Sequence, residues 1–80
     1  MSEQEIIQRL QTVFREVFDK EGLTISLDTT AADLPDWDSL AHVNLLVAVE
    51  SEFGISFSLE ELQTAKNVSA LVRLVMSKLA

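Results

Sequence analysis

Apolar residues recur along this chain at helical spacing, in stretches separated by short polar breaks. In the first stretch Ile6, Leu10, Val13, Phe14 and Val17 fall on one face, and Ile7 and Phe18 widen the stripe. Ser2-Glu3-Gln4-Glu5 stands just ahead as a capping box, the serine facing first-turn amides and the glutamate reaching back. Gly22 offers a stop. The pattern predicts a helix over about residues 3–20, with Arg9, Arg15 and Lys20 mostly on its wet side.

Residues 22–38 show no helical period. A connection of this length in a compact domain has to be functional or well packed, and Leu23, Ile25, Leu27 and Leu34 are expected to pin it to the core. The alternation at Leu23, Ile25 and Leu27 has no second long strand to pair with, and Thr30-Ala31-Ala32-Asp33 suits a single helical turn. The next helix is expected from about Ser39 to Phe53, ending at Gly54, with Leu40, Val43, Leu46, Val47 and Phe53 inward. Leu45, Ala48 and Val49 make it apolar over much of its circumference, so it is largely enclosed or partly a contact surface. Ser58-Leu59-Glu60-Glu61 is a second capping box and opens a short third helix near residues 59–64. Asn67 caps a fourth over about 68–79, with Leu71, Val72, Val75 and Leu79 inward and Val68, Leu74 and Met76 nearby. The fold class is all-α: one domain over residues 1–80, a four-helix bundle with a long first loop and a short third helix.

Composition narrows the function. With 48% hydrophobic residues, an 80-residue chain makes one core and little beyond it. Cysteine is absent and histidine occurs once, which excludes disulfides, thiolate metal sites and His-rich metal sites. No apolar run approaches the roughly 18–20 residues of a membrane span. Met1-Ser2-Glu3-Gln4-Glu5 lacks the basic-then-apolar layout of a secretory signal, so a cytoplasmic protein is expected. Between Lys20 and Lys66 there is no lysine or arginine, whereas nine acidic residues fall in that interval, and the whole chain carries −7. Such a middle repels a phosphate backbone, so no nucleic-acid partner is expected. It is either a solvated surface that aids solubility or a docking face for basic partners.

The candidate chemistry centres on Ser39, where the loop Leu34-Pro35-Asp36 gives way to the second helix through Trp37-Asp38. A serine there either caps the helix or presents a hydroxyl for modification at the helix's positive end. Asp38 competes for the cap and would leave Ser39 at the first helical position. Leu40 reads as a core anchor. Trp37 packs beneath the loop or offers an aromatic face to a partner, and His42 reads as an exposed or half-exposed helix residue. Asp36 and Asp38 hint at a calcium loop, but such a loop needs glycine at its sixth position, where Ala41 stands.

Asp38-Ser39-Leu40 opening the second helix of an acidic domain of this size resembles the acyl carrier proteins. Val43, Leu45, Val49-Glu50, Glu52-Phe53 and Glu60-Glu61 continue the resemblance in the same order, and it covers essentially the whole chain. It implies that a phosphopantetheinyl transferase attaches 4'-phosphopantetheine from coenzyme A to the Ser39 hydroxyl through a phosphodiester, with Asp38 and Leu40 flanking the attachment residue. The arm's thiol then carries acyl groups as thioesters between separate enzymes. The residues fit that role: no base stands near Ser39 in sequence apart from His42, so the activating groups belong to the modifying enzyme, and the chain is a shuttle and not an enzyme.

The same resemblance implies partners with basic docking patches, meeting Glu50, Glu52, Glu60 and Glu61 together with Leu45, Val49 and Trp37. Carriers of the primary fatty-acid pathway have acidic residues where this chain has Ala41 and Asn44, and a small residue where it has Trp37. Peptidyl carriers have glycines ahead of the serine, and this chain has none there. The acyl class therefore fits better than the peptidyl or aminoacyl class, and a free-standing, monomeric carrier of a specialised biosynthetic pathway is the expectation. The other reading is an acidic helical interaction module in which Ser39 is only a cap.

Overall fold

The computed structural model describes residues 1–79. Helix α1 runs Glu3–Phe18, α2 Ser39–Phe53, α3 Leu59–Thr64 and α4 Val68–Leu79, and a single 3-10 turn, Ala31–Asp33, lies in the first connection. This is the expected all-helical order, with α1 packed against both α2 and α4. Among the described residues no helix is long and apolar enough to cross a membrane.

The caps explain most of the boundaries. Ser2 Oγ accepts the Glu5 amide while Glu5 accepts the Ser2 amide, and Ser58 and Glu61 repeat the arrangement at α3. Asn67 Oδ1 accepts the Ala70 amide at 2.7 Å and opens α4. Helix α2 ends at Gly54, whose φ of 66° places it in the left-handed region that glycine enters without penalty. Helix α1 departs from expectation. It stops at Phe18 and not near residue 20, because Asp19 turns left-handed (φ 53°, ψ 48°), and Gly22 is not the stop. Aspartate is among the few side chains that tolerate this conformation.

The core joins Ile6, Leu10, Val13 and Phe14 of α1 to Leu45, Leu46, Val49 and Phe53 of α2 and Val68, Leu71, Val72 and Val75 of α4. Two expected faces are corrected here. Leu40, Val43 and Val47 were assigned inward on α2 but are 74%, 50% and 56% exposed, and Leu45 and Val49, assigned as contact residues, are fully buried. His42, expected near the surface, is 8% exposed and begins the buried stripe that continues through Leu45, Leu46, Val49 and Phe53. Both stripes of α2 have helical spacing and similar apolarity, so periodicity alone does not orient this helix. Leu79, placed inward, is 40% exposed at the end of α4.

The long connection is held by polar contacts as well as by apolar anchors. Arg15 Nε donates to the Leu23 carbonyl at 2.7 Å, and the Ile25 amide donates to Gln11 Oε1 at 3.0 Å, which ties the segment along α1. Farther on, Thr30 and Asn67 form an isolated antiparallel bridge, with the Val68 amide on the Thr29 carbonyl and the Ala31 amide on the Lys66 carbonyl. Ile25 is buried and Leu23 and Leu34 half-buried, as anchors should be, whereas Leu27 is exposed. The connection is thereby stitched to α1 and to the start of α4, and it delivers the chain to Trp37 and the start of α2.

Candidate functional site

Asp38 is the N-cap of α2. Its backbone is extended (φ −94°, ψ −174°) and its Oδ1 accepts the Ala41 amide at 2.9 Å. Ser39 is therefore the first helical residue. It is exposed, and its hydroxyl is not needed for the cap. The leading amides of a helix have no carbonyl within the helix to meet, and the macrodipole adds a partial positive charge there. A hydroxyl in that position is accessible and stands in a field that favours an attached anion. Leu40, next along, is exposed, which corrects the expectation of a core anchor.

Ser39 stands on the rim of a groove of ≈ 490 Å³ between α2, α3 and the first connection. Val43, Leu59, Leu62 and Ala31 give its apolar lining, and Gln63 and Lys66 are among its polar members. Trp37 and His42 form part of its wall. Trp37 is 5% exposed and packs edge-on against Phe14, with ring centroids 5.3 Å apart and planes at 87°. That is packing beneath the loop. At 5% exposure the ring is a packing residue and not the docking face expected as its alternative.

His42 is the groove-lining residue whose place sequence reasoning missed. The Trp37 indole Nε1–H donates to His42 Nδ1 at 2.8 Å, and His42 Nε2 lies 2.6 Å from the Leu62 carbonyl of α3. Indole is a donor only, so Nδ1 must accept, and the proton sits on Nε2, which donates to Leu62. One imidazole thus links the residue two before Ser39 to the helix across the groove. A tryptophan five residues ahead of the chain's single histidine, spanning a helix start, was the available signal.

The four acidic residues expected at a docking face have different occupations. Glu50 is part-buried and its Oε2 accepts the Phe57 amide at 2.7 Å, closing the α2–α3 connection. Glu52 lies 3.6 Å from Arg9 of α1. Glu61 completes the α3 capping box and meets Lys78 of α4 at 2.9 Å. Its carboxyl is held below the ordinary 4.5 by the Ser58 backbone hydrogen bond first and by Lys78 second. Glu60 is exposed on α3, with its side chain turned to solvent. The apolar positions that do face outward, Leu40, Val43, Val47 and Leu59, lie on α2 and α3 on the same side as Ser39's groove or next to it.

Residues 8–75, which include Ser39, match the family described as the phosphopantetheine attachment site. The acyl carrier protein of Petrotoga mobilis is 33% identical over 79 residues, spanning 99% of this chain and 93% of that protein. The chain belongs to the acyl carrier protein family. The acyl carrier protein of Coprothermobacter proteolyticus is 32% identical, over 99% of this chain and 96% of its own. Among solved structures, holo acyl carrier protein from Geobacter metallireducens superposes with a TM-score of 0.83 at 44% identity, covering 91% of this chain and 84% of that one. An acyl carrier protein works as a carrier and not as a catalyst, and the group that defines the family is covalent 4'-phosphopantetheine. The site's chemistry suits such an arm: an exposed primary hydroxyl, a helix start that favours a phosphodiester, and an adjoining groove with an apolar lining and a few polar groups.

Proposed function

We propose that Ser39 is the residue to which the arm is attached, and that the carrier serves a specialised biosynthetic pathway. The observation that carries this reading is the division of labour at the start of α2: Asp38 makes the capping bond, and the adjacent hydroxyl is left exposed on the rim of a groove. In the attachment step the Ser39 oxygen attacks the β-phosphorus of coenzyme A, and a phosphodiester forms as the pyrophosphate bond breaks. The adenosine bisphosphate half departs with the electron pair, and the hydroxyl proton passes to a base of the transferase. Nothing close to Ser39 serves as that base: the His42 ring nitrogens are engaged by Trp37 and Leu62.

The arm's thiol then holds an acyl group as a thioester and presents it to separate acyl-activating and acyl-transferring enzymes. Leu40, Val43 and Val47, exposed along one face of α2 that begins next to Ser39, form the apolar part of the partner surface, with Glu60 of α3 as its acidic rim; Glu52 lies on the α1 side of the helix, paired with Arg9. Glu50 and Glu61 belong to the α2–α3 connection and the α3 cap, so they act on docking mainly by holding that surface in shape. The specialised pathway is supported by Ala41 and Asn44, which remove two acidic positions from α2, and by Trp37, which takes the place of a small residue. The chain is read as a cytoplasmic monomer.

Incubating the apo protein with coenzyme A and a broad-specificity phosphopantetheinyl transferase tests the reading. Intact mass should show the gain of one arm, and Ser39→Ala should abolish it while the protein stays folded. A folded wild-type protein that gains no mass with several transferases overturns it.

A further inference from the structure

The Trp37–His42–Leu62 chain of hydrogen bonds does work that neither the family nor the attachment chemistry requires. Both ring nitrogens of His42 are taken, and the ring is 8% exposed. Its donor partner, Trp37, closes the loop that presents Ser39, and its acceptor partner, the Leu62 carbonyl, lies in the last turn of α3. That carbonyl belongs to the set a helix C-terminus leaves unmatched. Helix α3 has six residues, none of them buried, so polar tethers matter to it more than packing does. His42 supplies one tether, and Glu50–Phe57 and Glu61–Lys78 supply others.

We propose that His42 is a positioning residue for Ser39, and that its protonation releases Trp37 while keeping α3. A proton added at Nδ1 turns the acceptor of the Trp37 bond into a donor, and two N–H groups 2.8 Å apart repel. At Nε2 nothing is lost, since that N–H already faces the Leu62 carbonyl and a charged donor strengthens the bond. Charge on the imidazole therefore loosens the Trp37 side of the groove alone. The charged groups on the surrounding elements leave this logic intact. Asp38 and Lys66 line the same groove, Lys20 and Asp36 are paired with each other at 2.6 Å, Arg15 is bonded to the Leu23 carbonyl, and Glu61 is held by Lys78. Among the described residues, Glu60 stands out in solvent on α3, and the two ring nitrogens are taken by Trp37 and Leu62. The consequence is a segment before Ser39 that is fixed when His42 is neutral and loosened when it is charged. Only this consequence rests on the attachment reading.

Nitrogen NMR of the labelled apo protein tests the device without using the Ser39 hydroxyl. Because the chain has one tryptophan and one histidine, the indole N–H and imidazole signals are unambiguous. Across a pH series the imidazole shifts themselves report whether the ring is neutral or charged. While it is neutral they should show the Nε2–H form, and the indole N–H should exchange slowly with water. Once it is charged the indole N–H should exchange about tenfold faster, after correction with free indole, as its hydrogen bond is lost. His42→Gln, whose amide has both a donor and an acceptor and does not titrate, should abolish the pH dependence, and Ser39→Ala should leave it unchanged. An Nδ1–H form of the neutral ring, or corrected indole exchange equal with the ring neutral and charged, overturns the proposal. So does the same acceleration in a folded His42→Gln protein. Should that variant not fold, the wild-type signals decide the matter alone.

Discussion

Asp38 Oδ1 accepts the Ala41 amide at 2.9 Å, and this one bond caps α2 without the exposed hydroxyl of Ser39. Asp38→Ala removes the cap and should lower unfolding free energy by about 1 kcal/mol. Ser39→Ala removes a hydroxyl that caps nothing and should stay within about 0.5 kcal/mol of wild type. Urea unfolding of both variants checks the pair. A Ser39→Ala loss as large as that of Asp38→Ala would restore the cap reading of the serine.

Glu50 bridges α2 to the segment before α3 through the Phe57 amide at 2.7 Å, a charged acceptor in a part-buried place. Glu50→Ala leaves that amide without its partner and should cost about 1.5–3 kcal/mol. For a domain of this size that is a fall in melting temperature of roughly 6–24 °C, at about 4–8 °C for each kcal/mol. Glu50→Gln keeps an acceptor oxygen and should recover most of the loss. Thermal unfolding by circular dichroism reads both. No difference between the alanine and glutamine variants would mean that the bond contributes nothing.

Glu5 and Glu61 both titrate below the ordinary 4.5, each chiefly because a backbone amide of its capping serine donates to the carboxylate. A carboxylate whose folded value is depressed adds stability that is complete above its unfolded value and is lost as pH falls through the folded one. Through these two carboxylates the denaturation midpoint should therefore decline below about pH 4.5, and neither of them should change it above that pH. Glu61→Gln keeps the capping-box acceptor but has no charge to lose, so its acid decline should be shallower. Midpoints measured between about pH 7 and pH 3 show this, and parallel curves for the two proteins count against it.

Leu45 and Val47 are two positions apart on α2 and opposite in environment, the first fully buried and the second 56% exposed. Leu45→Ala should cost about 2–5 kcal/mol, and Val47→Ala should stay within about 0.5 kcal/mol. The sequence allowed no such distinction, and the reason is physical. Caps are local chemistry, so Ser2, Ser58, Asn67 and Gly54 marked helix ends correctly, and α1, with one clear apolar face, showed its inward side. Helix α2 offers two apolar stripes, and only neighbours distant in sequence choose between them. The buried stripe also contains a polar residue, since His42 starts it and is tolerable there with Trp37 and Leu62 as partners. That satisfaction depends on a loop and a helix meeting, which no local pattern records. The place of Ser39 was legible for the opposite reason: a helix start is fixed by its immediate neighbours, and Asp38 takes the cap as expected, whereas the attachment role was read from the family resemblance and not from position.

The partner surface should separate by residue in the same way. Glu60 is exposed in the first turn of α3, outside the cap that Ser58 and Glu61 make, so Glu60→Lys should keep the fold at a cost of at most about 1 kcal/mol and act chiefly on encounters with basic partners. The rate at which a transferase loads this variant should fall most at low ionic strength and approach wild type as salt screens the contact. Val47→Ala should slow loading by a similar factor at all salt concentrations, because it removes apolar area and no charge. Glu50→Lys is the wrong probe for this purpose. Its effect would combine lost docking with a broken α2–α3 connection, and a stability measurement would show the second component directly. Loading of Glu60→Lys that matches wild type at low salt would remove the acidic rim from the docking surface and leave Leu40, Val43 and Val47 to carry recognition.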